Sequence, residues 1–442
     1  MIEDEVPVDS TEGQQEASAS TAPDLPHWKR NIFVFLSGQT TSMFGSMLVQ
    51  YVVMWWITFE TQSGLSIGLY AIAAFMPQGI VSIFGGVLAD RMNRKALIMI
   101  ADATIALVTL VLAILMLNGV TELWILLLAV AVRSVGAGVQ QPAVQAAIPQ
   151  IVPESQLLRI NGIFQTIQSA MMLLAPVAAG AIFGLFGIVP AFFIDVVTAA
   201  IGIGLLALVA VPTLSAISEK TSKYGTDLVD GARYIWGHAI VRWLLLVFAI
   251  IFTLTVAPSF VTPLMVARSF GTEVWMLTVL EISFSVGMLL SGILVSTVLA
   301  KKSRIGLILF STFGFALVTI ALGLSPNLWI FYAFMFIFGL LVPLFSAPFM
   351  TLIQETVEPE MQGRAFSYVG IVMALATPIG MMVFGPMADV ISVQLLLVIA
   401  GIATIAVMLI AVAVPSGRAA MQAGREAQAA SEEAAIDSAH GA

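Results

Sequence analysis

The sequence contains no cysteine, so disulfide bonds and thiolate chemistry are excluded. Histidine occurs three times in 442 residues, and a histidine-based metal site is therefore not expected. The Gly-x-x-x-x-Gly-Lys-Ser/Thr loop that holds nucleotide phosphates is absent, so no ATP-driven mechanism is expected. These absences favour a protein that is not an enzyme and that has no cofactor, no bound metal and no nucleic-acid partner.

Charge is also scarce, and apolar residues take its place. Charged residues form 10% of the chain, compared with about one quarter in soluble domains. Hydrophobic residues form 59% of the chain. Such an excess cannot be buried in one water-soluble core, so the chain is expected to lie in a lipid bilayer.

Twelve apolar stretches are long enough to cross that bilayer, since a transmembrane helix needs about 20 apolar residues. The first covers 33–59 and the last covers 391–414. The longest connection divides six spans from six and contains a short amphipathic pattern. The predicted organisation is a disordered cytoplasmic tail (1–30), an N-terminal six-helix bundle (31–211), a cytoplasmic linker with an amphipathic helix (212–240), a C-terminal six-helix bundle (241–414) and a cytoplasmic tail (415–442).

The basic residues predict the orientation. If both termini are cytoplasmic, 16 of the 18 lysines and arginines lie in inner loops or tails; Arg268 lies in an outer loop and Arg133 within a span. Basic loops stay on the cytoplasmic side of a membrane. We therefore expect a multi-pass inner-membrane protein with both termini inside. Seven acidic residues precede Pro26 and four follow Arg425, so 11 of 26 lie in the tails, and the net charge of −8 indicates nothing about a substrate.

The two halves of the chain repeat with an offset of 206 residues. This offset places Pro142 on Pro348 in the fourth span of each half, and Gly86 on Gly292 in the second. A repeat of this kind predicts two pseudo-symmetric bundles. Transporters built in this way have their substrate site near mid-membrane between the halves.

The loop after the second span has the sequence Gly-Gly-Val-Leu-Ala-Asp-Arg-Met-Asn-Arg-Lys. It resembles the signature loop of the major facilitator superfamily, with Asn93 in place of a glycine, and Asn is the next best residue for a left-handed backbone. The resemblance implies the major facilitator fold and a conformational latch. The expected latch residues are Gly86, Asp90, Arg91 and Arg94. The alternative is a loop that only anchors the topology.

Four charged residues inside spans are the candidates for proton coupling, because a carboxylate in a water-poor cavity can bind and release a proton near neutral pH. Arg133 lies roughly 15 Å into the fourth span, and Arg133-Ser-Val-Gly-Ala-Gly resembles a superfamily motif linked to proton coupling. Glu281 is the first choice as carrier. Asp195 and Asp102 are further candidates, for which an ion pair is the alternative role, and Arg133 could equally be structural.

Polar stripes in the spans predict the walls of a substrate cavity, because polar groups that face lipid are costly. Hydrogen bonds between helices are the alternative explanation. The predicted cavity residues are Gln39, Ser46, Gln50, Gln165, Gln168, Met172, Ser259 and Ser285.

The fifth span contains Leu-Ala-Pro176-Val-Ala-Ala-Gly180, which resembles the antiporter motif of drug/proton exporters. Small residues at this spacing allow close packing between the halves, although a simple packing kink is also consistent with the pattern. At the outer ends of the spans, Glu60 and Asp389 are expected to be solvated.

A wider resemblance extends over residues 30–415. The segments from Arg133 to Pro142 and from Pro153 to Gln168 are similar to the bacterial macrolide-efflux branch of drug exporters. The resemblance implies a monomeric secondary transporter that exchanges protons for amphipathic small molecules. A siderophore or lipid exporter, an uptake permease of the same fold, and a membrane sensor or scaffold that transports nothing remain as alternatives.

Overall fold

The computed structural model describes residues 27–211, 232–299, 302–415, 417–419 and 421–422, and for 83–91, 239–240, 257 and 359–360 it describes the backbone alone. The described ranges contain α-helices and one short 3-10 helix, and no β-strand. Most of both predicted tails and most of the linker lie outside the described residues. Within the linker, 232–237 is helical.

Twelve helices in the described ranges are long and apolar enough to cross a membrane. They are α1 (Trp28–Thr61), α2 (Gly64–Arg91), α3 (Arg94–Leu117), α4 (Leu123–Ile151), α5 (Leu157–Phe186), α6 (Val189–Ala207), α7 (Ala239–Ser269), α8 (Val274–Thr297), α9 (Arg304–Gly323), α10 (Leu328–Thr356), α11 (Pro359–Val390) and α12 (Val393–Ala413). The predicted fold class is therefore confirmed.

Side-chain caps fix the starts of several helices. Asn93 accepts a hydrogen bond from the backbone N–H of Ala96 at 3.2 Å, and Ser303 accepts one from Gly306 at 3.3 Å. These two caps begin α3 and α9, the third helix of each half. The expectation of a left-handed backbone at Asn93 is wrong: its φ is −63° and its ψ is 111°. An N-cap needs this extended conformation for its side chain to reach the first turn.

The same helix pairs form the packing of each half. In the first half α1 packs on α6 and α5, and α4 packs on α2 and α3. In the second half α7 packs on α12 and α11, and α10 packs on α8 and α9. The equivalent helices α4 and α10 each have 29 residues, and each contains one of the repeated prolines, Pro142 or Pro348. The repeat in the sequence is thus a repeat in the structure.

Two helix pairs make most of the contacts between the halves, and both meet toward the side opposite the chain termini. There α2 crosses α11, where Gly64 and Gly385 bring the two backbones together, and α5 crosses α8 at Gly180. At the side of the termini the halves diverge: a Cβ added to Gly162 of α5 or Gly363 of α11 would meet nothing within 4 Å. The molecule is therefore closed between the halves at one side and open at the other.

Helix packing within the second half depends on close approach of α8 and α10. A Cβ on Gly287 would overlap the carbonyl of Phe336, and a Cβ on Gly339 would overlap that of Phe284. In a lipid environment such contacts replace the hydrophobic effect as the force between helices.

We expect Gly287→Ala to destabilise the protein by about 1–3 kcal/mol, because the added methyl group must displace backbone. The matched control is Gly292→Ala, five residues later on the same helix, where an added Cβ meets nothing within 4 Å. Thermal unfolding of the purified protein in detergent measures both. Equal losses in the two variants would contradict the packing argument.

Candidate functional site

A cavity of about 300 Å³ lies between the two halves. Helices α1, α2 and α5 contribute one wall, and α7, α8 and α10 contribute the other. The polar and charged lining residues are Gln50, Tyr51, Tyr70, Ser259, Thr262 and Glu281, and the others are Met47, Met54, Phe75, Met172, Phe260, Phe284, Met335 and Phe338.

Glu281 is the one charged side chain among these lining residues. It lies in the second turn of α8, within an otherwise apolar stretch of the helix. Among the described residues its carboxylate has no hydrogen-bond or ion-pair partner. A lone carboxylate in such surroundings is costly unless water, a proton or a cation stabilises it.

Two further cavities adjoin this central one. A cavity of about 320 Å³ lies in the first half, between α1, α2, α4 and α5, and is lined largely by glutamines. A cavity of about 260 Å³ lies in the second half, between α7, α8, α9, α10 and α11, and is lined largely by phenylalanines. Gln50 lines both the central and the glutamine-lined cavity, and Phe338 lines both the central and the phenylalanine-lined one.

Arg133 and Asp195 form a buried ion pair in the first half, with a distance of 2.5 Å between Nη1 and Oδ2. The Asp195 side chain is fully buried and that of Arg133 is 11% exposed. Thr109 accepts a hydrogen bond from Arg133 and donates to Asp195 at 2.9 Å, and Ser46 donates to the other carboxylate oxygen at 3.3 Å. The pair therefore joins α1, α3, α4 and α6 at the edge of the central site.

Asp102 is buried on α3 and has neutral partners. Ser42 donates to Oδ1 at 2.9 Å, and the Gln140 amide donates to the same oxygen at 2.5 Å. The other oxygen, Oδ2, has no partner among the described residues. Among the described residues Asp102 therefore forms no ion pair, and Arg133, the basic side chain of this region, is bound to Asp195.

Six of the eight predicted cavity residues line the three cavities: Gln39, Ser46, Gln50, Gln168, Met172 and Ser259. Gln165 is exposed and lines none of the three. Ser285 is buried and donates to the backbone carbonyl of Met172 at 3.2 Å, which makes it a bridge between α8 and α5. Contact of these residues with substrate stays a prediction.

The predicted antiporter-type motif lies at the α5–α8 contact. Pro176 is buried within α5, and one turn later an added Cβ at Gly180 would overlap the side chain of Thr278 on α8. Small residues here allow the two halves to meet at the closed side. This contact closes the space between the halves at that side, and we call it the α5–α8 seal. A role in antiport stays a prediction.

The predicted latch lies mostly outside the described residues, since the side chains of Gly86, Asp90 and Arg91 are not described. Arg94 donates to the carbonyl of Ala146 at 2.6 Å, so it joins the start of α3 to α4. This contact is internal to the first half. The latch role stays a prediction.

A different set of contacts joins the halves at the closed side, and we call it the clasp: Gln62–Leu65, Arg268 and Ala388–Asp389. The Asp389 carboxylate accepts hydrogen bonds from the backbone N–H of Gly64 at 2.7 Å and of Leu65 at 2.8 Å. Arg268 donates to Asp389 at 2.7 Å and to the carbonyls of Gln62 (2.9 Å from Nε) and Ala388 (2.5 Å).

The clasp corrects the expectation that Asp389 is merely solvated. Its carboxylate caps the start of α2, whose first backbone N–H groups have no partner within the helix. Because α2 belongs to the first half and Asp389 to the second, the cap is also a bond between halves.

Sequence reasoning also missed the glutamines of α4 and the phenylalanines of the second half. Gln141 and Gln145 are one turn apart, as are Phe248 and Phe252. Amides at helical spacing within a span are a signal that could have indicated the first group. Phenylalanine is too common in membrane helices to have indicated the second.

Twelve spans in two related halves around a central cavity are the architecture of a membrane transporter for small molecules. The family model of the Major Facilitator Superfamily matches residues 34–381 and 274–437. The chain belongs to this superfamily, which confirms the resemblance of the loop after the second span.

Two relatives are both called Macrolide efflux protein A. That of Streptococcus pyogenes is 29% identical over 371 residues, which cover 83% of this chain and 92% of the relative. That of Enterococcus faecalis is 30% identical over 314 residues, which cover 70% and 97%. Among solved structures, a mutant of the nucleoside transporter NupG has a TM-score of 0.68 at 14% identity, covering 86% of this chain and 98% of that one, a likeness that shows the shared fold.

Asp195→Ala is expected to cost about 3–5 kcal/mol of stability, because it leaves the Arg133 charge buried without its partner. The double variant Asp195→Leu with Arg133→Met removes both charges and is expected to recover most of that loss. Thermal unfolding in detergent compares the single and double variants. If the double variant is no more stable than Asp195→Ala, the unpaired charge of Arg133 is not the cause of the lost stability.

Proposed function

We propose that the protein exports amphipathic, macrolide-like small molecules in exchange for protons. The observation that carries this proposal is a cavity between the halves that is sealed at one side and contains a lone carboxylate, Glu281. The similarity to proteins called Macrolide efflux protein A supports the choice of cargo.

The placement of the basic residues supports an orientation with both termini in the cytoplasm of a bacterial cell. In that orientation the clasp and the α5–α8 seal lie on the outer side, and the open side faces the cytoplasm. The structure then corresponds to an inward-open state, from which an exporter loads its cargo.

Glu281 is the proposed site at which proton and cargo compete. When protonated it is neutral and stable among its methionine and phenylalanine neighbours. Cargo that enters from the cytoplasm favours release of this proton to the cytoplasm, and a new proton enters from outside once the outer side opens. Asp102 is the second candidate, since one of its oxygens has no partner among described residues.

Arg133 and Asp195 neutralise each other, so we assign them a supporting role in this cycle. Their ion pair fixes α4 against α6, and Arg133 lines a separate cavity of about 110 Å³ together with Ser46 and Gln50. The halves can then move as bodies, with the contacts of α2 with α11 and of α5 with α8 broken and re-formed.

Glu281→Gln is expected to abolish accumulation driven by a pH gradient, because the amide cannot exchange a proton. The control is Glu273→Gln, the exposed residue that precedes α8. Uptake of a macrolide or a lipophilic dye into proteoliposomes, with and without an imposed pH gradient, measures coupling. Loss of coupling in both variants, or in neither, would remove Glu281 from this role.

The same assay separates the proposed function from its alternatives. Flux that ignores the gradient in the wild-type protein would contradict antiport. Accumulation of siderophores or lipids, but of no macrolide, would favour the other cargo classes. No flux of any compound would favour a sensor or scaffold.

Asp389→Ala is expected to shift the protein toward an outward-open state, because it removes the cap of α2 and the partner of Arg268. The bonds between the halves that are lost are those from the backbone N–H groups of Gly64 and Leu65 to this carboxylate, and a partly exposed hydrogen bond of this kind contributes about 1 kcal/mol, which changes the populations several-fold. Spin labels on cysteines introduced at Leu69 of α2 and Met382 of α11, in a chain that has no other cysteine, measure the separation of the halves.

The matched control for the clasp is Glu60→Ala. This change removes an exposed acidic residue near the C-terminal end of α1, on the same side of the molecule as the clasp. Its distance distribution is expected to equal that of the wild-type protein. A wild-type distribution in Asp389→Ala would show that the clasp does not hold the outer side closed.

A further inference from the structure

The two halves give the cavity walls of different chemistry. In the first half glutamine supplies more than half of the lining side chains, among them Gln50, Gln145 and Gln168, and no charged residue is part of that wall. We call this surface the amide wall. The Arg133 charge nearby is neutralised by Asp195, so the amide wall offers hydrogen bonds without a formal charge.

Several of these amides have no partner among the described residues. In the described part of the chain the side chains of Gln50, Gln145 and Gln168 make no hydrogen bond, and the amide nitrogen of Gln39, a residue that is 5% exposed, is buried and unpartnered. A carboxamide has two donors and an acceptor. Gln50 and Gln145 are exposed and Gln168 is half-buried, so their amides are accessible from the cavity, and the hydroxyl groups of a ligand are matching partners for them.

The opposite wall is apolar and aromatic. In the second half seven phenylalanines line the cavity, and several of them stack, with the Phe248 and Phe349 ring centroids 4.3 Å apart. Polar atoms are limited to hydroxyl groups such as those of Thr255 and Ser346. We call this surface the phenylalanine wall.

The two walls both border the central cavity. Gln50 lines the amide wall and the central cavity, and Phe284 and Phe338 line the central cavity and the phenylalanine wall. A bulky ligand in the central cavity can therefore contact both. Such a division selects for a ligand that has one face rich in hydroxyl groups and one face of hydrocarbon.

We propose that the amide wall binds the sugar of a glycosylated hydrophobic compound, and that the phenylalanine wall binds its hydrocarbon ring. Gln145 of α4 and Gln168 of α5 are the specificity-determining residues for the sugar. This inference rests on the proposed export function and names the class of cargo within it: neutral glycosides of large apolar rings.

The experiment compares a macrolide that carries only neutral sugars with its aglycone, so that no charge on the probe can pair with Glu281. Binding to the purified full-length protein in detergent is measured for the wild type and for the double variant Gln145→Met with Gln168→Met, which keeps side-chain length and removes the amides. We expect the double variant to bind the glycoside about ten-fold more weakly, the effect of one or two lost hydrogen bonds, and the aglycone with little change.

Two controls accompany the double variant. Gln150→Met changes a glutamine of α4 that lines none of the three cavities, and it is expected to bind both probes as the wild type does. Phe349→Leu removes an aromatic ring from the phenylalanine wall. It is expected to weaken the binding of both probes equally, because both contain the hydrocarbon ring that this wall is proposed to bind. Unchanged thermal unfolding of each variant shows that it is folded.

The outcomes separate this inference from the proposed function. Suppose that the wild type transports both probes. If the double variant then binds both probes more weakly to the same extent, or binds both as the wild type does, the assignment of the amide wall is wrong and export stands. If the wild type transports neither probe in proteoliposomes, the proposed function fails, and the inference that rests on it fails as well.

Discussion

The hydrocarbon core of the membrane offers no hydrogen bonds, and every other feature of this protein depends on that constraint. Backbone polar groups must be satisfied within their own segment, so the chain crosses as helices. Polar side chains must find partners in the protein or face a cavity. Arg133 and Asp195 show the first outcome, with the carboxylate bound by an arginine, a threonine and a serine from three other helices. Glu281 shows the second, since it faces the cavity between the halves.

The same constraint explains how two stable halves can move against each other. Within a half, close backbone approach such as that of Gly287 and Gly339 gives many small contacts that are lost only by unfolding. Between the halves the contacts run from the middle of the spans to one side and end in the clasp, where Arg268 and Asp389 are about 30% exposed. Water can replace those hydrogen bonds, so the clasp can open at low cost. Rigid halves with a separable contact are what alternating access requires.

Three carboxylates in the membrane region differ in their partners, and we assign their roles from that difference. Asp195 is paired with a cation, Asp102 is held by neutral donors, and Glu281 has no partner among the described residues. The charge of Asp195 is balanced by Arg133, whereas that of Glu281 is balanced by no cation among the described residues. Because Glu281 is the charged side chain that lines the central cavity, it is the residue for which we propose proton exchange.

The sequence by itself determined the number of spans, the repeat of 206 residues, the family and the burial of Arg133, because hydropathy and spacing are local properties of the chain. It also indicated six of the eight cavity residues, since a polar stripe on a membrane helix must face protein or water. Only the tertiary structure decided which groups meet. Asp389 lies more than 320 residues from Gly64, Ser285 lies 113 from Met172, and the partners of Asp102 are on two other helices. No local pattern encodes such contacts, because they depend on how one half is placed on the other and on which helix faces turn toward each other.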